Sequence, residues 1–337
     1  GFKSFGDTNG LEAQIDQHKV LGAISSDYHI KKLIKEKKLA KIDYKKIFPN
    51  ENKTIADFKN LYIDPIIKHK EKPIIDIDNE SHEIFDYTIP YYYQYKVIAF
   101  DIRRAGPQLV KKLLKERNKD IINNDSRIKD LIRYIDNDEK NWWKNFTNKD
   151  ISKYLLKDID GNKIDGKYEY KQYFEILEEI GLKNIVINDY TRDVLYIGAS
   201  KEKNQEEIAK LENKDYESNF KRWINNFIDN ISSYKKNGNI HYTENGTEAL
   251  TYLSDPNSEY NVAVMYNGDA FDAFNHGDQF KNNNGDNYFI RVIKPKNNFG
   301  IFDGLIMPAY IKQDPYYEDK FYEIVRNYFI GKSFDKL

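Results

Sequence analysis

The 337-residue sequence contains no cysteine, which excludes disulfides, thiolate zinc sites and thiol nucleophiles. It also lacks an excess of either charge, because 53 Lys+Arg nearly balance 54 Asp+Glu. We therefore predict no binding to nucleic acid. No stretch approaches the roughly 20 apolar residues that a membrane-spanning helix requires. The chain opens Gly-Phe-Lys without an apolar leader, so we expect any leader or anchor to lie outside it.

Signatures of catalysis and of metal binding are missing as well. None of the six His residues is followed by a second His four positions later, and no nucleophile elbow, P-loop or dinucleotide-binding glycine turn is present. The segment Asp158–Glu169 has acids at three positions of a calcium loop, but Lys163 stands where that loop needs glycine. A turn at Asp160-Gly161 explains it better. We predict no metal, no cofactor and no enzymatic activity.

What the sequence does contain is enough apolar and aromatic surface for two lobes, each with its own core. Hydrophobic residues make up 40% of the chain, which has 27 Tyr and 19 Phe. Short apolar runs followed by a polar turn and a helical pattern occur at Val20–Lys38 and at Asn184–Ala199, and Asn261–Tyr266 is followed by an Asn-Gly turn. This alternation predicts an α/β protein with parallel or mixed sheets.

Further helices are predicted from apolar residues at helical spacing. These lie at Phe220–Ile231, at Phe321–Phe329 and, interrupted near Asn123, at Pro107–Lys140. Either Ser26 or Asp27 is placed to cap the helix that starts there. The pair Trp142-Trp143 is interpreted as a packing anchor rather than a stacking platform for a ligand.

Three apolar runs end in an acid flanked by aromatic residues, within Ile185–Asp193, Asn261–Phe271 and Phe299–Pro308. A bound ammonium needs carboxylates that accept charge-assisted hydrogen bonds and aromatic faces that cover its methylene groups. The three stretches therefore indicate a pocket for an organic cation.

Five blocks in order resemble the spermidine/putrescine-binding proteins of ABC importers. The resemblance is carried by Ala23–Asp43, by Tyr87-Thr-Ile-Pro-Tyr-Tyr-Tyr, by Asn188-Asp-Tyr-Thr-Arg-Asp-Val, by Val264-Met-Tyr-Asn-Gly-Asp-Ala-Phe and by Gly300-Ile-Phe-Asp-Gly-Leu-Ile-Met-Pro. It implies a bilobal periplasmic-binding-protein-like fold of type II, in which two α/β lobes are joined by crossing strands. The first lobe would comprise residues 1–96 and 298–337, and the second residues 97–297 with insertions at about 102–140 and 151–182. The resemblance also implies that the family's first strand and its C-terminal helices have no counterpart in this sequence.

The resemblance also implies ligand contacts at seven positions, carried over one by one. These are Ser26, Tyr28, Tyr190, Asp193, Tyr266, Phe302 and Asp303. In the family, the residues matched by Asp193 and Asp303 bind ligand amines, and a Trp usually stands at the position of Tyr266. This chain departs from the pattern at Tyr190, which replaces a second family acid, and at Ile301, which replaces an aromatic residue.

The function implied is capture of a polyamine between the lobes and its delivery to a membrane permease. We expect a monomer outside the cytoplasm, either a membrane-anchored lipoprotein or a periplasmic protein. Three alternatives stay open at this stage. The same fold can bind another solute, such as a sugar or a different organic cation. A carbohydrate-active enzyme can use two carboxylates, and a surface protein can keep the scaffold for interaction without transport.

Overall fold

The computed structural model describes residues 8–47, 73–156, 169–202, 216–244, 246–255, 257–275, 289–296, 298 and 300–330. The segment that resembles a calcium loop lies outside these residues except for its last position, Glu169. None of the described helices is long and apolar enough to span a bilayer.

The described residues form α-helices and β-strands in alternation. The helices are α1 (Thr8–Asp16), α2 (Asp27–Lys35), α3 (Tyr44–Ile47), α4 (Pro107–Arg117), α5 (Ser126–Asn137), α6 (Asn148–Asp150), α7 (Tyr170–Glu179), α8 (Thr191–Ala199), α9 (Tyr216–Asn230), α10 (Ser232–Asn237), α11 (Gly246–Ser254), α12 (Asn267–Asn275) and α13 (Pro315–Ile324). The strands are β1 (Ala23–Ser26), β2 (Ile74–Ile75), β3 (Ser81–His82), β4 (Thr88–Asp101), β5 (Asn184–Asn188), β6 (Asn239–Thr243), β7 (Val262–Tyr266), β8 (Ile290–Ile293) and β9 (Gly300–Ile306). Short 3₁₀ or π turns lie at Ile84–Asp86, Ile102–Arg104, Trp142–Asn145, Ile151–Leu155, Ala309–Gln313 and Val325–Ile330.

The chain divides into two compact units, the first of residues 1–94 and 300–337 and the second of residues 95–299. In the first unit β9 lies between β1 and the beginning of β4, and β1 runs antiparallel to β9 with Ser26 opposite Asp303. Gly304 permits this arrangement, because a Cβ atom built there would lie 2.1 Å from Thr88 Oγ1. The helices of this unit cover two clusters of buried apolar residues that include Phe302 and Phe321.

The second unit has a mixed sheet in the order β4-β7-β5-β6, with β8 paired to β4. Strand β5 is parallel to both β6 and β7, whereas β4 is antiparallel to β7 and β8. Three helices follow the parallel strands directly: α8 follows β5, α11 follows β6 and α12 follows β7. Their N-termini therefore lie at the carboxyl ends of the strands, the edge at which α/β proteins usually bind ligands.

Most sequence-based elements are confirmed, and two differ in a way that has a physical cause. The first strand is Ala23–Ser26 and begins three residues after the start of the apolar run at Val20, because pairing with β9 fixes its position. The Asn267-Gly268 pair begins helix α12 instead of a turn, since the Asn267 side chain accepts a hydrogen bond from the Tyr95 N–H at 3.0 Å. Trp142 is buried and packs edge-on against Phe146, which confirms its packing role.

Candidate functional site

A cavity of about 140 Å³ opens in the second unit at the carboxyl ends of its parallel strands. Its walls come from the ends of β5 and β7, from the first turns of α8, α11 and α12, and from β4. The lining residues are Lys96, Asn188, Tyr190, Arg192, Asp193, Gly246, Ala249, Val264, Met265, Tyr266 and Asp269. Three of the seven residues predicted from sequence, Tyr190, Asp193 and Tyr266, thus lie together around one cavity.

The centre of this cavity is a buried ion pair between Lys96 and Asp193. Lys96 Nζ lies 2.8 Å from Asp193 Oδ2, and both side chains are almost fully buried. Burial lowers the pKa of the Lys96 ammonium, and the Asp193 carboxylate is the main influence that opposes this. Each charge therefore depends on the other, since a single buried charge without a partner would be strongly unfavourable.

Tyr266 and Arg192 complete the surroundings of the pair. The Tyr266 hydroxyl donates to Asp193 Oδ1 at 3.2 Å and accepts from Arg192 Nη2 at 3.0 Å. The Lys96 ammonium lies 3.6 Å from the centre of the Tyr266 ring, within the range of a cation–π interaction. Burial raises the pKa of the Tyr266 hydroxyl, with the Asp193 charge adding to the effect. The phenol therefore stays protonated and able to donate to Asp193.

A second acid of the cavity, Asp269, is not among the seven positions that the resemblance implies, although it is the acid of the stretch Asn261–Phe271. It stands in the first turn of α12, and a Cβ atom on Gly246, at the start of α11, would lie 3.7 Å from its Oδ2. Burial raises the pKa of Asp269, whereas the positive charge of Lys96 lowers it. Asp269 therefore carries a carboxylate whose ionised form depends on a nearby cation.

The first unit presents a different acid, Asp303, in the middle of β9. Its Oδ1 accepts from the Ser26 hydroxyl at 2.7 Å, and its Oδ2 accepts from the Gln94 side-chain amide. Ser26 is the N-cap residue of α2, as expected, but its side chain makes no capping bond because the hydroxyl donates to Asp303. No Lys or Arg within the described ranges forms an ion pair with Asp303, which is only partly buried.

The two remaining predicted residues, Tyr28 and Phe302, differ in exposure. Tyr28 lies in the first turn of α2 and is 44% exposed, two positions after Ser26. Phe302 is completely buried and stacks on Phe85 with ring centres 5.7 Å apart. The structure therefore gives Phe302 a role in the core, while Tyr28 lies partly at the surface.

Sequence reasoning misses Lys96 and Gln94. Lys96 and Gln94 lie in β4, and each bonds to an acid that is distant in sequence, 97 positions away for Lys96 and 209 for Gln94. No local pattern connects such pairs. Asp269, in contrast, belongs to the acid–aromatic stretch Asn261–Phe271. That stretch is one of the three that indicate a cation pocket, so the sequence does point to this acid.

One group of residues in the first unit has the composition of a metal site. Asp76, Glu80 and His82 place their ligand atoms within 4.8 Å of one another. Asp76 Oδ1 accepts from the N–H groups of Asp78 and Glu80, and its Oδ2 lies 2.9 Å from His82 Nε2 and 3.3 Å from Lys37 Nζ. These hydrogen bonds stabilise the tight turn between β2 and β3, which explains why the three side chains lie together.

The protein is similar in fold to several solved solute receptors. It matches the GacH receptor of Streptomyces glaucescens, solved without ligand and in complex with acarbose, with a TM-score of 0.51 and 11% identity over 96% of this chain and 65% of that chain. A putative spermidine/putrescine ABC transporter from Listeria monocytogenes gives 0.49 and 16%, over 98% of this chain and 70% of that one. The spermidine/putrescine substrate-binding protein PotD from Streptococcus pneumoniae gives 0.49 and 14%, over 98% and 69%.

The fold is the one that the resemblance implies: two α/β units of the periplasmic-binding-protein type. At 11% identity, the match to the GacH receptor, with its TM-score of 0.51, shows the fold alone. None of the curated proteins compared with the chain in sequence matches it. The chain belongs to the family described as hypothetical lipoprotein (MG045 family), whose profile matches residues 2–332.

Proposed function

We propose that this member of the hypothetical lipoprotein family captures an organic solute for an ABC importer and passes it to a membrane permease. The fold and the lack of recognisable catalytic motifs support a binding role rather than an enzymatic one. The solute carries an ammonium group, and spermidine and putrescine are the first compounds to test, because the sequence resembles the polyamine-binding proteins.

The observation that carries this proposal is the state of Asp303. Its carboxylate is held in place by two neutral donors, Ser26 and Gln94, so its orientation is fixed while its negative charge is not neutralised by an ion pair among the described residues. An ammonium that reaches this carboxylate would gain a charge-assisted hydrogen bond. Tyr28 stands two positions after Ser26, and its partly exposed ring offers an aromatic face.

Substitution of Asp303 tests the proposal. Asp303→Asn keeps the shape of the side chain, and its amide can still accept from Ser26 and pair with Gln94. We expect the binding free energy of the ammonium compound to become less favourable by about 2–4 kcal/mol, and by about 1 kcal/mol for Ser26→Ala. Isothermal titration calorimetry with spermidine, putrescine and glucosamine measures both.

Asp319→Asn is the matched control, since this acid of the same unit is exposed. It should bind as the parent does. Equal affinity of the parent and the Asp303→Asn protein for every ammonium compound would contradict the assignment of Asp303.

We also propose that the protein acts outside the cytoplasm as a lipoprotein, in line with its family. The native full-length protein should then partition into the detergent phase when cells are extracted with a detergent that separates on warming. Recovery of the native protein in the cytoplasmic fraction alone would rule out this location.

A further inference from the structure

We propose that the cavity of the second unit receives an uncharged, hydroxyl-bearing group of the solute, such as part of a sugar, and not an ammonium. The inference rests on the proposed solute-binding function and adds hydroxyl groups to the chemistry of the solute. It follows from the groups that already occupy the place where an ammonium would bind.

An ammonium-binding site needs a carboxylate and an aromatic face. In this cavity the carboxylate that lies beside an aromatic face is Asp193, and the face is the Tyr266 ring. Both are already used by the chain's own ammonium, since Lys96 Nζ lies 2.8 Å from Asp193 Oδ2 and 3.6 Å from the ring centre. A ligand ammonium would have to displace Lys96, whose charge would then be left buried without its partner.

The remaining charges of the cavity do not favour a cation either. The acids and bases of the lining are two bases, Lys96 and Arg192, and two acids, Asp193 and Asp269. Lys96 forms an ion pair with Asp193, and its positive charge also lowers the pKa of Asp269. Arg192 Nε lies 3.7 Å from Asp193 Oδ1. The two cations offset the two anions, so an incoming ammonium would gain no net attraction and would still lose its hydration.

A neutral hydroxylated group fits the same surroundings. Each hydroxyl both donates and accepts, so it can exchange hydrogen bonds with polar side chains of the wall such as Asp269 without an ion pair having to break. Tyr190, which is 49% exposed, lies at the wall of the cavity and can pack its ring on the apolar face of a sugar.

The test compares the parent with Lys96→Met and with Lys96→Arg. Methionine keeps a long, flexible side chain but removes the charge, so that Asp193 and Tyr266 become open to a ligand ammonium. The probes are putrescine, spermidine, glucosamine and glucose, measured by calorimetry on the full chain. Lys96→Arg keeps the cation and is the matched control.

We expect the parent to bind a hydroxylated probe more tightly than putrescine or spermidine. Lys96→Met should bind putrescine at least about tenfold more tightly than the parent does, a change of about 1.4 kcal/mol, whereas Lys96→Arg should not. Adding Asp193→Asn to Lys96→Met should abolish the gain, because the acceptor is then neutral.

A parent that prefers spermidine or putrescine to both hydroxylated probes would overturn the inference and leave the solute-binding function standing. If no probe binds the parent at all, the proposed function fails with it. Should Lys96→Met fail to fold, as judged by circular dichroism, the preference of the parent among the four probes decides the question.

Discussion

At the scale of single residues, the clearest feature outside the two candidate sites is the buried His29 of α2. Its Nδ1 lies 2.7 Å from Ser25 Oγ, and its Nε2 lies 3.6 Å from Glu12 Oε2. The Glu12 carboxylate is itself held by Lys32 at 2.6 Å and Lys38 at 2.9 Å. These two lysines lower the pKa of Glu12 to about 2, and α1 is thereby attached to α2.

The stability of the protein should depend on pH through His29. Burial lowers the pKa of His29 below its ordinary value, and the negative charge of Glu12 only partly opposes this. The unfolded chain therefore binds a proton more readily than the folded one. Stability from this residue is complete above about pH 6.5 and is lost as the pH falls below that value.

Urea unfolding at about pH 7.5 and at about pH 5 measures this loss. Both values lie above the pKa of about 2 that Glu12 has in the folded protein. In His29→Asn the amide can still pair with Ser25 but does not titrate. We expect the variant to be less stable than the parent at the higher pH and to lose less stability on acidification. An identical loss in both proteins would mean that His29 is not the titrating group.

At the scale of helices and strands, α8 and α9 in the second unit pack unusually closely. The contact is made at Gly198, where a Cβ atom would lie 2.0 Å from the carbonyl oxygen of Trp223. Trp223 is buried and belongs to a small apolar cluster with Leu195 and Ala199. The absence of a side chain at position 198 therefore sets the distance between the two helices.

Gly198→Ala should destabilise the protein, although alanine is the better helix former by about 1 kcal/mol. The added methyl group must push the helices apart, at a cost of about 2–3 kcal/mol in the free energy of unfolding. Asn225→Ala on the exposed side of α9 is the control and should change stability by less than about 0.5 kcal/mol. Chemical denaturation that shows Gly198→Ala to be as stable as the parent would refute the close-packing argument.

The helices of the second unit differ in how well the sequence predicts them. Helix α8 is predicted as the end of the pattern at Asn184–Ala199, and α9 from the spacing of Trp223, Phe227 and Ile231, because periodic burial is a local signal. The start of α12 is missed, since its Asn-Gly pair reads locally as a turn and a tertiary hydrogen bond to Tyr95 decides otherwise.

For the two candidate sites, the sequence predicts individual residues more easily than the pairs that these residues form. Asp193 and Tyr266 are both identified from sequence and do share a cavity, because each ends a buried strand or begins the next helix. The sequence does not identify Lys96 as their partner, since this role depends on the antiparallel register that places Lys96 opposite Tyr266. Register is a property of the assembled sheet and has no signal in a single strand.

At the scale of the whole molecule, each unit has its own apolar core. The large buried cluster of the second unit involves only residues between Val97 and Ile293. The buried residues of the two main clusters in the first unit come from the chain up to Ile89 and from Phe302 onward. Separate cores can unfold in separate steps.

We therefore expect two transitions when the full chain is heated in a scanning calorimeter. The second unit should give the larger enthalpy, because the enthalpy of unfolding grows with the number of residues. Gly198→Ala, in the second unit, should lower the midpoint of that transition and leave the other unchanged. A single transition whose calorimetric and van't Hoff enthalpies agree would show that the chain unfolds as one cooperative body.

Strand β4 supplies a partner to each of the two acids, Gln94 to Asp303 and Lys96 to Asp193. Side chains two positions apart in a strand point to the same face, so a single deletion at Tyr95 would turn one of the two partners to the opposite face. The spacing of these two residues is therefore as important as their identity. Loss of one residue that carries neither bond would be enough to disable one of the two acids.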